Sequence, residues 1–329
     1  MTRVAVIGTG GTISSIATDI FDYTDYPETG RKLSAAAMIE EMAVLSRYAE
    51  LVPVPFVEVG SNAIGPADWL RLATLIAGLA EDPDIAGVVI LHGTATLEET
   101  AYFLHLTIKT EMPVVLVGAQ RPFNSVGTDA IANTAAGVRV AASPESRGRG
   151  VLLVLNDEIH SARDVTKTST HRLHAFKSGV FGPLGTADPD RIAYARRPER
   201  EHTLATPFTV GEGTALPRVD IAYAYAGVDG TVVRAAMAAG AGGIVSAGFA
   251  PGMSSPAERD ALLEAAASGV AVVQSTRVGT GRVTRHHYLA ETGFIGADDL
   301  TPQKARILLM LGLMVTRDVE TLREYFRRF

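Results

Sequence analysis

The 329-residue sequence contains no cysteine. That absence excludes a disulfide scaffold, thiolate zinc sites, iron–sulfur clusters and a cysteine nucleophile, and it is compatible with a reducing compartment. Lysine is scarce. Of 30 basic residues only five are lysines (Lys32, Lys109, Lys167, Lys177 and Lys304), so each invites a question about its task. Positive charge is not in excess either. The net charge is −6, so no global positive field recruits nucleic acid or an anionic membrane. Apolar runs are short. The longest, such as Arg306–Val315, cannot span a bilayer. The chain passes from Met1-Thr2-Arg3 straight into Val4-Ala5-Val6-Ile7, which leaves no room for an export signal. The expectation is a cytoplasmic protein. No Gly-Lys phosphate loop, no G-x-S-x-G elbow and no H-E-x-x-H pair occurs.

What is present is ample core material, with 47% hydrophobic residues, in a length that fits one large or two ordinary domains. Short apolar runs (Val4–Ile7, Val54–Val59, Gly87–Leu91, Pro113–Val117, Val151–Leu155) alternate with amphipathic helical patterns over Ser34–Tyr48, Pro66–Leu79 and Thr96 to about Lys109. Thr96-Leu97-Glu98-Glu99 reads as a capping box. The runs are continuously apolar, as in a parallel sheet covered on both faces. An irregular stretch with five prolines, Gly182–Pro217, then intervenes, and the strand–helix rhythm resumes at Val219. The fold class is therefore α/β. Two doubly wound parallel-sheet domains are expected, a larger one over 1–194 and a smaller one over 218–329, joined by a linker over 195–217.

Ligands of such sheets sit beyond the carboxyl ends of the strands. The first strand is followed by Gly10-Gly11-Thr12 and the second by Gly60-Ser61-Asn62. His92-Gly93-Thr94-Ala95-Thr96 follows the third, Gly118-Ala119-Gln120-Arg121-Pro122 the fourth, and Asn156-Asp157 the fifth, leading to Arg163–Thr168 with Lys167. Gly8-Thr9-Gly10-Gly11-Thr12-Ile13 imitates a dinucleotide fingerprint but has Ile13 in place of the last glycine. His171 and His174 have no clustered carboxylate, so no metal site is read from them. Hydroxyls, glycine-flanked amides and one lysine on one rim suit acyl transfer. A threonine hydroxyl needs a proton acceptor, and a desolvated lysine can drop towards neutral pKa and serve. The amides of Thr94-Ala95 at a helix start can hold an oxyanion. The long connection from Ile13 to Ser34 carries Phe21, Tyr23 and Tyr26 and reads as a lid.

These pieces make the chain resemble the bacterial L-asparaginase and glutaminase-asparaginase family over essentially its full length. The matching segments include Thr9–Ile13, Gly60-Ser61, His92–Thr94 with Glu98–Leu104, Val117–Ala119 with Arg121-Pro122, Arg163–Thr168, Phe181–Gly185, Gly243–Gly248 and Pro302–Arg306. The resemblance implies an asparaginase-like, two-domain fold and amide hydrolysis through an acyl-threonine. It implies Thr12 as nucleophile on its Gly11 loop, with a lid tyrosine beside it. Tyr26 is the better match and Tyr23 its rival. Thr94 and Lys167 would form a second pair that activates threonine or water, and Ser61 would bind the substrate carboxylate. The resemblance implies no metal, no cofactor and a homotetramer of two tight dimers, in which the small domain completes a neighbour's site.

The sequence departs from the family pattern around the substrate's amino group. The third loop normally reads His-Gly-Thr-Asp-Thr, its aspartate binding the α-ammonium. Here Ala95 stands in that place, and Asn62 replaces a glutamine. The acidic residue expected from the small domain falls near Arg285-His286-His287, where no acid stands, and Ala250-Pro251-Gly252 replaces a Gly-Asn-Gly loop. A buried ammonium without an anionic partner is costly. The expected substrate is therefore a small carboxylate-bearing amide or imide other than free asparagine, with Arg285, His286 or His287 meeting an extra carboxylate or carbonyl. The alternatives are an ordinary asparaginase of low affinity, in which Glu98, Asp22, Asp25 or Glu28 substitutes for the missing acid, and a ligand-binding homologue without catalysis.

Overall fold

The computed structural model describes residues 2–29, 31–284 and 287–329. The chain forms two units. One comprises Met1–Ala205 with Val210–Glu212, and the other Thr206–Thr209 with Gly213–Phe329.

The larger unit is built on an eight-stranded sheet. Its strands are β1 (Arg3–Gly8), β2 (Glu50–Val54), β3 (Ile85–Leu91), β4 (Val114–Val117), β5 (Val151–Leu155), β6 (Glu158–Ser161), β7 (Gly185–Ala187) and β8 (Ile192–Tyr194). The spatial order is β8-β7-β6-β5-β4-β3-β1-β2. The five strands from β2 to β5 are mutually parallel. Beyond β5 the sheet continues antiparallel, an extension that the parallel-sheet expectation did not contain. Its cause is local. Asn156 and Asp157 adopt φ 50° and 62°, the left-handed pair that closes a two-residue hairpin. The second strand also sits earlier than the apolar run over Val54–Val59 suggests. Pro53 lies within it, opposite Val6, which is tolerable because β2 is the sheet edge.

Alternate strand residues face opposite covering layers. Val4, Val6, Val89, Leu91, Val115, Val117, Leu152 and Val154 pack with Met38, Met42, Ala136 and Val140. Those last four belong to α1 (Ala35–Glu41) with its continuation, and to α4 (Ala130–Ala142). The other face carries α2 (Pro66–Ala80) and α3 (Leu97–Thr107). Helix α3 is buried almost all round, so it reads as a core element rather than an amphipathic one. Ser34 caps α1 through Ala37 N–H.

The smaller unit has four parallel strands, β9 (Val219–Tyr223), β10 (Gly243–Gly248), β11 (Ala271–Thr276) and β12 (Ile295–Gly296), in that spatial order. Helices α5 (Thr231–Ala238) and α6 (Pro256–Ala267) cover one face through Val233, Ala261, Leu262 and Ala265 against Ile244 and Val272. Helix α7 (Pro302–Val315) packs Leu309 and Leu313 beside Gly243 on the opposite face, and α8 (Val319–Arg328) follows it. Both units are thus doubly wound α/β. Among the described residues no helix is long and apolar enough to cross a membrane.

The first turn of α6 holds an acid in an unfavourable place. Glu258 is fully buried, and burial raises its pKa more than the neighbouring Ser255 amide lowers it. Stability from a raised acid pKa is complete below the unfolded value and is lost as pH rises through the folded one. Glu258→Gln should therefore raise the thermal midpoint at pH 8 and leave it nearly unchanged at pH 4. Equal shifts at both pH values in calorimetry would remove this explanation.

Candidate active site

After β1 the backbone turns through Gly10 and Gly11, with φ 90° and 81°. Gly11 N–H donates to Val59 O at 2.8 Å, and Val59 N–H to Thr9 O at 3.2 Å. The loops after β1 and β2 are thereby zipped together. A β-carbon on Gly11 would lie 2.2 Å from the Gly93 Cα, so only glycine lets the β1 loop touch the β3 loop. Thr12 then opens a 3₁₀ turn, Thr12–Ser14, and the Ser14 and Ser15 hydroxyls donate to Gly11 O.

The Thr12 hydroxyl lies 2.6 Å from the Tyr26 hydroxyl. Burial holds the Tyr26 phenol above its ordinary pKa, and Asp22 adds to this against the opposing Thr12 bond. Tyr26 therefore keeps its proton at neutral pH. Tyr23 has a different setting. It is exposed, its hydroxyl donates to Val126 O at 3.0 Å, and the Arg121 guanidinium stands 5.3 Å from its ring centroid. It ties the connection to the 121–127 loop and makes no bond to Thr12.

The second pair converges from farther apart in sequence. Lys167 lies in a two-residue strand paired with Phe176–Lys177. Its Nζ donates to Thr94 Oγ1 at 2.7 Å, and its own N–H donates to Glu98 Oε2 at 2.9 Å. Burial pulls the Lys167 pKa below the ordinary lysine value, with Glu98 acting in the opposite sense. Thr94 and Ser61 are buried, whereas Ala95 and Asn62 are exposed.

Two expectations are corrected at the start of α3. The Thr96 hydroxyl makes no cap. It donates to Ser61 O at 2.7 Å. The Ala95 amide, expected to be free for an oxyanion, donates to Ser61 Oγ at 3.1 Å. Both bonds lock the β2 loop to the β3 loop. Asn156 and Asp157, taken as rim residues, form the β5–β6 turn, and Asn156 N–H donates to Asn133 Oδ1. Asn62 Oδ1 folds back over Gly60, where it would crowd any β-carbon.

Behind the loops lies a polar relay that sequence reasoning missed. Trp69 Nε1–H donates to Thr100 Oγ1 at 3.0 Å, Thr100 Oγ1 lies 3.0 Å from His92 Nε2, and His92 Nδ1 lies 2.8 Å from Gly93 O. A carbonyl only accepts, so the imidazole proton is on Nδ1, and Thr100 donates to Nε2. The signal in the sequence was the spacing of His92 and Thr100, with the single tryptophan on the preceding helix.

Comparison with known proteins agrees with this geometry. Residues 3–200 match the family described as asparaginase, N-terminal, and residues 218–326 the glutaminase/asparaginase C-terminal domain. The chain belongs to the asparaginase family. It is accordingly an asparaginase-like amidohydrolase, acting on carbon–nitrogen bonds other than peptide bonds. It is 40% identical to the L-asparaginase 2 of Escherichia coli, over 99% of this chain and 93% of that one. It has the same identity and coverage with the probable periplasmic L-asparaginase of Haemophilus influenzae. The crystal structure of a probable cytoplasmic L-asparaginase from Campylobacter jejuni superposes with a TM-score of 0.95 at 38% identity, covering 100% of both chains.

Of the residues expected in the asparaginase site, Gly11, Thr12 and Tyr26 meet in one group, and Ser61, Thr94, Ala95 and Lys167 in another that abuts it through Gly11 and Gly93. Arg285 and His286 lie outside the described residues, and His287 is exposed at the start of a short helix, His287–Thr292.

Complete burial lowers the His92 pKa to about 4. A depressed folded pKa gives stability that is present above the unfolded value, ~6.5, and lost as pH falls through the folded one. This is on the order of 3 kcal/mol between neutral pH and below pH 4. Nitrogen NMR should find His92 as the neutral Nδ1–H tautomer throughout pH 5.5–8. Titration near pH 6.5 would refute the buried relay.

Proposed function

We propose that this amidohydrolase releases ammonia from a small carboxylate-bearing amide, or opens an imide, through an acyl intermediate on Thr12, and that free asparagine is not its preferred substrate. The observation that carries the reading is the pair of hydroxyl contacts, Thr12–Tyr26 at 2.6 Å and Thr94–Lys167 at 2.7 Å, on loops in backbone contact. In the first half-reaction Thr12 Oγ attacks the amide carbonyl. Its proton passes through the Tyr26 hydroxyl to the departing nitrogen, leaving ammonia and an ester on Thr12. Tyr26, protonated at neutral pH, accepts one proton as it gives up another and need not exist as tyrosinate. In the second half-reaction a water loses a proton through Thr94 to the Lys167 amine and attacks the ester. The bond from the acyl carbon to Thr12 Oγ breaks, the carboxylic acid leaves, and the proton taken up by Lys167 returns through Thr94 to the Thr12 oxygen. Lowered basicity suits Lys167 to this role, because burial favours the neutral amine relative to an exposed lysine. Ser61, held between two loops, takes the substrate carboxylate.

The substrate reading rests on the acid missing from position 95 and on the engagement of two of its possible substitutes, Asp22 and Glu98, elsewhere. Ala95 offers a methyl group. Asp22 Oδ1 accepts from Thr24 N–H and Asp25 N–H and so serves its own turn. Glu98 Oε2 accepts from Lys167 N–H. The proposed assembly is a homotetramer of two tight dimers, in which Arg285 to His287 of one chain serve a neighbour's site. That part rests on the family resemblance. A second reading, turnover of free asparagine, is favoured by the relatives named L-asparaginase at 40% identity.

Kinetics on asparagine, glutamine and succinamate separate the two. Succinamate should have the higher kcat/KM, and efficient asparagine turnover at micromolar concentration would decide for the second reading. Thr12→Ala and Lys167→Met should each lower kcat about a thousandfold or more with the fold intact. If neither touches any measured hydrolysis, the acyl-threonine route is wrong. Ala95→Asp restores an anion where the ammonium would lie. It should raise kcat/KM on asparagine relative to succinamate about tenfold, as one charge-assisted hydrogen bond provides. An unchanged ratio would mean that position 95 does not face the amino group.

A further inference from the structure

Lys167 reaches Thr94 from a hairpin of two-residue strands, and something must hold it there. The backbone pairing is slight. Phe176 faces Lys167, Lys177 faces Thr166, and Thr168 N–H donates to Ala175 O at 2.6 Å. The Lys167 N–H donates to Glu98 Oε2, at 2.9 Å. Glu98 is the second residue of α3, the helix that grows directly from the Thr94 loop. One rigid element therefore fixes both partners of the Thr94–Lys167 bond, Thr94 through the loop at its start and Lys167 through the Glu98 carboxylate. Glu98 is itself buried, at 7% exposure, so its charge acts in a poorly screened setting.

We propose that Glu98 is a positioning residue of the hydrolytic site, whose carboxylate anchors the strand that brings Lys167 to Thr94 and places a negative charge beside it. This deepens the reading of Lys167 given above and rests on it only for its catalytic consequence. Among the described residues, three elements set groups against Lys167. From the β3 loop comes the Thr94 hydroxyl, and from α3 comes Glu98. From the paired strand come Phe176 and, one position away, the exposed Lys177. The Glu98 charge favours the ammonium form of Lys167, against the larger effect of burial. With Ala95 in the loop, no carboxylate from position 95 shares that duty.

Two substitutions divide the anchor from the charge. Glu98→Gln keeps an oxygen that accepts from Lys167 N–H and removes the charge. Glu98→Ala removes both. The chain has only five lysines, so carbon-13 labelling of lysine gives few side-chain signals, and Lys167→Met assigns the one of interest. In Glu98→Gln the titration midpoint of the Lys167 side chain should fall by at least about half a pH unit, because an anion that favours the ammonium form is lost. The acid limb of kcat/KM for succinamate should move down with it. Glu98→Ala should in addition lower kcat about tenfold or more with little change in KM. A Lys167 midpoint unmoved by Glu98→Gln overturns the proposal. A midpoint that moves while the acid limb stays fixed upholds the link between Glu98 and Lys167, and instead overturns the role of Lys167 as base.

Discussion

Gly11 and Gly93 approach so closely that neither has space for a β-carbon. A side chain on Gly11 would meet the Gly93 backbone, and one on Gly93 would meet Ser61 and Gly11. Every other relation in the site follows from this contact. It sets the Thr12 loop against the Thr94 loop. The Ser61 bonds to Ala95 and Thr96 then bring the third loop into the same cluster. The Trp69–Thr100–His92 relay secures the Gly93 carbonyl from beneath. Three strand ends are thus tied together, and Thr12 and Thr94, separated by 82 positions, stand on loops in backbone contact.

Burial acts on the two proton-handling groups in opposite directions with one result. It raises the Tyr26 phenol and lowers the Lys167 ammonium, so both move towards their neutral forms. This is what desolvation does to an acid and to a base alike, since in each case it disfavours the charge. The proposed proton transfer among Thr12, Tyr26, Thr94 and Lys167 would then have little stored charge to reorganise. His92 follows the same rule. Kept neutral by burial, it orients a backbone carbonyl and takes no part as an acid or base near neutral pH.

The legible part of this protein was the part governed by periodicity and by glycine. The apolar runs Val4–Ile7, Gly87–Leu91, Pro113–Val117 and Val151–Leu155 fall on strands of the sheet, whereas the run Val54–Val59 lies almost wholly beyond its strand, Glu50–Val54. The illegible part was governed by competition for the same polar atom. Thr96 has the residue type and spacing of a cap, yet Ser61 O takes its hydroxyl, because a loop distant in sequence lies closer than the helix's own amides. The Asn156-Asp157 pair carries a hairpin signal, but the apolar run before it matched a parallel strand so well that the turn read as a loop end. Tyr23 and Tyr26 could not be ranked by spacing alone. What separates them is that Val126 and Arg121 offer Tyr23 partners that no pattern along the chain announces.

The scarcity of lysine acquires a physical meaning from the same geometry. This chain meets its surface acids with arginine, as in Arg218–Asp220, Arg234–Glu264 and Arg282–Asp298. Arginine gives forked bonds to carboxylates and stays charged under all ordinary conditions. Those properties suit an ion pair and disqualify a proton acceptor. A guanidinium at position 167 could donate to Thr94 but could never take a proton from it. An amine can, provided that burial weakens its hold on the proton and a nearby anion keeps the weakening within bounds. In a chain that otherwise prefers arginine, a lysine at position 167 keeps the one property that the proposed second half-reaction needs, an amine able to take up a proton.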